Sequence, residues 1–174
     1  MNNALSPDEL SSELREGSSR FLKRRRGVVG LSLFSVGVMG GIALYQMGIL
    51  KTIPEPRLPG FNTDKVTGSP EAYSHLATPD ALLGLVNYGV TACLAGAGAQ
   101  NRWKTHPWIP LCMAWKIMMD VTLASKLAVD EWTKSLAFCF WCLLTTASTF
   151  VALPLAVPEA KAALRRLTGE QHDS

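Results

Sequence analysis

"GVVGLSLFSVGVMGGIALYQMGIL", residues 27–50, runs for 24 positions without a charged side chain. At about 1.5 Å per residue, a helix of that length covers a hydrocarbon core roughly 30 Å thick. Two more stretches of the 174-residue chain share the property: Ala81 to Gln100, 20 residues, and Ser135 to Pro158, 24 residues. The net charge of +3 is therefore gathered in blocks between apolar runs, which is the pattern of a membrane protein rather than of a soluble domain. The basic run Lys23 to Arg26 before the first apolar stretch suits a signal peptide, but the stretch is too long and lacks a small-x-small cleavage site. It is read as a retained anchor.

A fourth stretch, Trp108 to Val129, has the right length but holds Lys116, Asp120 and Lys126. Charges at the bilayer centre are costly, and a soluble amphipathic helix is the competing reading. Lys116 and Asp120 stand four apart, so they can pair on one helix face, while Lys126 is near enough to the end to reach the interface. The expected spans are 27–50, 79–100, 108–129 and 135–157. Short connections, "NRWKTHPW" and "DEWTK", force antiparallel neighbours. The fold class is all-α integral membrane, an up-down bundle of four transmembrane helices.

Residues 1–22 form a polar segment in which "SPDELSSELREG" predicts a short helix: Ser6 as N-cap, Pro7 in the first turn, Gly17 as stop. Residues 23–158 are the membrane domain, and 159–174 a charged tail that continues as helix before fraying. The proline-rich loop 51–77 reads as extended and turn-rich, with "SPEAYSHL" capable of a helical turn. With both termini cytoplasmic, eleven lysines and arginines lie on that side (Arg15, Arg20, Lys23 to Arg26, Arg102, Lys104, Lys161, Arg165, Arg166) against four outside (Lys51, Arg57, Lys65, Lys134). This asymmetry sets the expected orientation, with the 51–77 loop facing an oxidising compartment. Membrane lipid is the expected surrounding, and the basic run a topology signal that touches anionic lipid; nucleic acid is not an expected partner.

Cys139 and Cys142, in "FCFWCLLTT", stand three apart at the outer start of the fourth span. Such a pair is a redox dithiol, half of a metal site, or two small apolar fillers. A helix N-terminus stabilises the thiolate that disulfide exchange requires, and two electrons from the pair suit a membrane-soluble quinone. Zinc needs four ligands, and no second pair or His-x-x-His is present. Packing remains open on spacing alone. Cys93 and Cys112, toward the cytoplasmic ends of the second and third spans, are read as core packing. Trp103, Trp108 and Trp132 are read as interfacial anchors, Gly37, Gly40 and Gly41 as allowing close helix contact, and His75 as a solvated loop residue within reach of a proton-transfer role.

"FCFWCLLTT" resembles the fourth-helix signature of the vitamin K epoxide reductase family, and "VTGSPEAYSHLATPDALLGLVNY", residues 66–88, resembles that family's Val-x-x-Ser loop and the helix start that follows it. "ALPLAVPEA" is similar to bacterial members. The resemblance spans roughly residues 28 to 160 and carries over Ser69, Pro79, Gly84 and Tyr88. It implies a bundle around a quinone cofactor, with Cys142 as the quinone-facing sulfur, Cys139 as its exchange partner, and Asp80, Ser69, Tyr88, Thr145 and Thr146 around the ring. It also implies a thioredoxin-like redox partner and a bacterial plasma membrane. The chain departs from the family in three places. Thr63 stands where members carry a loop cysteine, and residues 51–77 hold no cysteine at all. Asp80 replaces an asparagine that can donate to a quinone oxygen, a role a carboxylate fills only when protonated, as burial would favour. Thr146 stands where some relatives have tyrosine. Without the loop cysteines a partner must reach Cys139 directly, or the chain is a non-catalytic bundle that binds quinone, lipid or a partner subunit.

Overall fold

A computed structural model describes residues 6–56, 59–74 and 77–169. Among them the regular structure is all helical: α1 (Pro7–Glu16), α2 (Arg20–Gln46), α3 (Thr63–Thr67), α4 (Asp80–Gly96), α5 (Arg102–Thr105), α6 (Trp108–Asp130) and α7 (Phe140–Leu167). A 3-10 turn, Pro70–Tyr73, precedes α4, and a π turn, Glu131–Ser135, ends α6. The four long helices form a ring in which α2 packs on α4 and α7, and α6 packs on α7 and α4. Helices α2 and α7 are long and apolar enough to cross a membrane; α4 is a shorter apolar helix.

The predicted short helix forms as the capping pattern dictates. Ser6 Oγ accepts the Glu9 N–H, and Glu9 Oε2 accepts the Ser6 N–H at 2.8 Å, closing a reciprocal cap. The long helices depart from the expected spans at their ends. Helix α2 begins at Arg20, seven residues before the uncharged run, because Ser19 caps it and Leu22 is buried. Helix α7 begins at 140 rather than 135, because Leu136 takes a left-handed conformation (φ 50°) and breaks the chain into a short extended stretch. It then runs through to Leu167, so most of the charged tail is one helix with the last span.

The buried interior has three layers. One apolar cluster, Val28, Ala95, Met113, Ile117, Ala152 and Ala156, lies toward the basic end. A second, Ile42, Ala43, Val66, Ala81, Ala137 and Cys139, lies at the end holding the cysteine pair. Between them runs a polar belt: Ser32, Ser35, Thr91, Ser148 and Thr149 are all buried. Lys116 pairs with Asp120 at 2.6 Å, and Asn87 of α4 bonds both partners, at 3.0 and 3.1 Å. The expected i,i+4 ion pair is thus present, and Asn87 turns it into a link between α6 and α4.

At the basic end, arginines close open helix termini. Arg25 donates to the carbonyls of Ala95, Gly96, Ala97, Gly98 and Ala99, at 2.9–3.2 Å. Arg102 donates to Leu94 and Ala97 oxygens and makes a two-pronged pair with Glu159, both contacts 2.8 Å, with the side chains 0% and 2% exposed. Arg26 donates to the carbonyls of Leu14 and Arg15 at the end of α1. The last carbonyls of a helix have no partner within it, and guanidinium groups supply one.

Two packing expectations are corrected. A Cβ at Gly37 or Gly41 would meet nothing within 4 Å, and one at Gly40 would make only an ordinary contact; the close approach is instead at Gly84, where a Cβ would lie 2.9 Å from Met39 Sδ. Cys93 and Cys112 are exposed on the outside of the bundle rather than packed in its core. Their positions on α4 and α6 point away from the ring interior.

Candidate functional site

Cys139 is the N-cap of α7 rather than a residue within its first turns. Its Sγ accepts the backbone N–H of Cys142 at 3.1 Å, so the thiol sits where the unpaired amides and dipole of the helix favour negative charge. The backbone N–H of Cys139 in turn donates to Glu131 Oε2 at 3.3 Å. Cys139 is 0% exposed, whereas Cys142 is partly exposed.

A strap from the 51–77 loop runs beside the pair, with Val66 of the same loop packed in the cluster that holds Cys139. Phe61 bridges Phe138: the Asn62 N–H donates to Phe138 O and the Phe138 N–H to Gly60 O, at 3.1 and 2.8 Å. Phe61 also packs its ring against Phe138 and Phe140, and Phe138 stacks on Trp132 at 5.2 Å. Trp141 donates to Pro54 O at 2.8 Å, tying the strap to α7 on its far side. Trp132, expected as a lipid anchor, thus also stacks beside this strap.

Below the pair Thr145, one of the two expected threonines, forms a ladder with Thr149, which the sequence reading did not single out. Thr145 Oγ1 donates to Cys142 O at 2.9 Å, Thr149 Oγ1 donates to Thr145 O at 2.9 Å, and Thr149 Oγ1 lies 3.3 Å from the Tyr88 hydroxyl. Tyr88 and Thr149 line a small cavity in the polar belt, with Ser32, Ser35, Thr91 and Asp120. Its free volume, about 10 Å³, is that of a single water. The buried Ser35 hydroxyl on its wall has no partner among the described residues. Hydroxyl donors of this kind suit a quinone oxygen, while a ring needs more room than this one cavity provides.

The other predicted positions stand apart from this line. Asp80 is exposed rather than buried, and its Oδ1 accepts from Gln46 Nε2 at 2.7 Å. Gln46 also donates to Thr67 O and accepts the Ala81 N–H, and Tyr73 donates to its backbone oxygen, so this one side chain ties α2, α4 and the loop together. Ser69 heads the 3-10 turn without capping it through its side chain. Thr146 is partly buried one position past Thr145, outside the ladder. Thr63 is buried at 1% exposure, accepts the Thr67 hydroxyl on its carbonyl, and leaves its own Oγ1 without a partner among the described residues. His75 lies outside the described residues.

Glu131 has no counterpart in the sequence reading. It lies between α6 and α7, mostly buried, and burial pushes its carboxyl up to about 7, aided by the nearby charge of Asp80 and opposed by the bond from Cys139. A carboxyl balanced near neutrality against the amide of a capping cysteine is a local acid or base beside the pair.

A helical bundle with two membrane-length apolar helices and a Cys-x-x-Cys pair capping one of them defines a membrane protein with the elements of thiol redox chemistry. The chain belongs to the vitamin K epoxide reductase family, whose model matches residues 27–157. That family is a four-helix membrane bundle whose members are quinone-dependent thiol oxidoreductases. A search of curated proteins finds no match.

Proposed function

We propose that this chain is a membrane thiol-disulfide oxidoreductase coupling the Cys139–Cys142 pair to a quinone. The observation that carries the reading is the capping geometry: the sulfur of Cys139 holds the Cys142 amide at the head of α7, in a chain of this family. Closing the pair to a disulfide releases two electrons and two protons. A bound quinone supplies the acceptor for both. Glu131, against the Cys139 amide, is positioned to take a proton from the pair, and the Thr145–Thr149–Tyr88 ladder leads from Cys142 into the polar belt.

In this reading both termini are cytoplasmic, by the eleven-to-four charge count, and the pair faces the outer side of a bacterial plasma membrane. Cys142 faces the quinone and Cys139 exchanges with a thioredoxin-like partner. No cysteine in residues 51–77 relays electrons, so the partner engages Cys139 directly, and the strap at Phe61 must lift to admit it.

The same burial of Cys139 favours a second reading, a non-catalytic bundle that keeps the pair as packing. One experiment separates them. The Cys93→Ser/Cys112→Ser protein, which lacks the two exposed thiols, is purified reduced, exposed to a short-chain benzoquinone or naphthoquinone, and assayed by maleimide mass-tagging. The oxidoreductase reading expects quinone-dependent loss of both remaining thiols, abolished by either Cys139→Ser or Cys142→Ser. A pair that stays reduced with both quinones leaves the structural bundle.

A further inference from the structure

At the basic end, a groove of about 440 Å³ opens between the start of α2 and the last third of α7. Arg20 and Arg24, four apart on α2, face Lys161 and Arg165, four apart on α7, across a floor that includes Phe21 and Pro158. Among the described residues no carboxylate lines it. Arg25, Arg26 and Arg102 at the same end are committed to helix carbonyls, and Arg102 also to Glu159. By contrast, none of the four groove cations has a hydrogen bond or ion pair among the described residues.

Gathering four positive charges around one hollow costs repulsion that an anion would remove. The groove also lies where the uncharged runs of α2 and α7 end, between Gly27 and Pro158, which is the depth of lipid headgroups for a chain that crosses the bilayer. We infer that this groove binds the phosphate of one anionic glycerophospholipid, with Phe21 and Pro158 against the first carbons of its acyl chains. The site depends on membrane placement and not on the redox chemistry of the cysteine pair. It differs from general attraction of a basic tail to a membrane, because the cations come from two helices and converge on a walled space. Headgroup binding there would clamp the start of α2 to the end of α7.

The test is native mass spectrometry of the full chain in detergent, titrated with phosphatidylglycerol, phosphatidylcholine, or phosphatidylglycerol plus excess inorganic phosphate. The expected result is one phosphatidylglycerol held at least tenfold more tightly than phosphatidylcholine and not displaced by inorganic phosphate. Arg24→Gln/Arg165→Gln and, separately, Arg20→Gln/Lys161→Gln should each weaken it about tenfold. Arg15→Gln/Arg166→Gln, which removes the same charge outside the groove, should change it less than twofold. Equal retention by all three variants, equal affinity for the two lipids, or displacement by inorganic phosphate would each overturn the assignment. The quinone-dependent thiol assay, run on the same variants, reads the redox chemistry separately.

Discussion

Glu159→Ala is the substitution whose cost the structure defines most sharply. Glu159 receives both prongs of the Arg102 guanidinium at 2.8 Å, and neither side chain meets solvent. Removing the carboxylate leaves a buried cation held, among the described residues, by the carbonyls of Leu94, Ala95 and Ala97 and the Met113 sulfur. Deleting one partner of such a pair costs about 3–5 kcal/mol, mostly the penalty of the charge left behind. For a chain of this size, at about 2–4 °C per kcal/mol, the unfolding midpoint should fall by roughly 6–20 °C. The measurement is the loss of monodisperse protein in detergent after stepwise heating. Arg102→Met/Glu159→Ala serves as the control, because it removes the stranded charge. It should melt above the sum of the two single changes. A midpoint for Glu159→Ala within 2 °C of the parent would refute the argument, since it would mean water reaches Arg102 at no cost.

Three further outcomes follow from the site. Glu131→Gln should flatten a pH effect: a carboxyl held at about 7 in the fold, above its ordinary value, stabilises fully below that ordinary value and loses its contribution as pH rises through 7, so the parent's midpoint should decline between pH 5 and 8 while the variant's does not; parallel profiles would remove Glu131 from the account. Thr63→Val should raise the melting midpoint, because it deletes a buried hydroxyl that has no partner among the described residues, at a net gain of about 1 kcal/mol, and a lowered midpoint would mean the hydroxyl is satisfied. Phe61→Ala removes two ring contacts from the strap, each about 0.5–1.5 kcal/mol, so alkylation of Cys139 in a background lacking the other three cysteines should accelerate roughly 5- to 150-fold; an unchanged rate would show that the strap does not gate access.

Legibility in the sequence followed the range of the interaction. The uncharged runs marked α2, α4 and α7, the Ser6–Pro7 start and Gly17 stop marked α1, and the Lys116–Asp120 spacing marked an ion pair, since each is set within a few residues. The cysteine pair was visible for the same reason, as was its place at a helix start. What escaped was long-range. Arg25 meets carbonyls 70 to 74 positions away and Arg102 meets Glu159 at 57, so both read as solvated topology charges until folded. Gln46, the tie between Asp80 and the loop, and Glu131, beside Cys139, carried no local pattern to distinguish them. The break at Leu136 was equally silent, because a left-handed leucine is imposed by its surroundings rather than announced by its type.

Helix α4 has only 17 residues, about 25 Å at 1.5 Å per residue. A hydrocarbon core of roughly 30 Å is thicker than that. A helix that stops short ordinarily exposes its last peptide oxygens to acyl chains, at several kcal/mol each. Here Arg25, carried on a different helix, gathers the oxygens of residues 95–99 in one fan, so they have partners where the shorter segment stops. Bilayer thickness thereby becomes a variable to which stability should respond: replacing Arg25 by glutamine should matter least in short-chain lipids and most in long-chain ones.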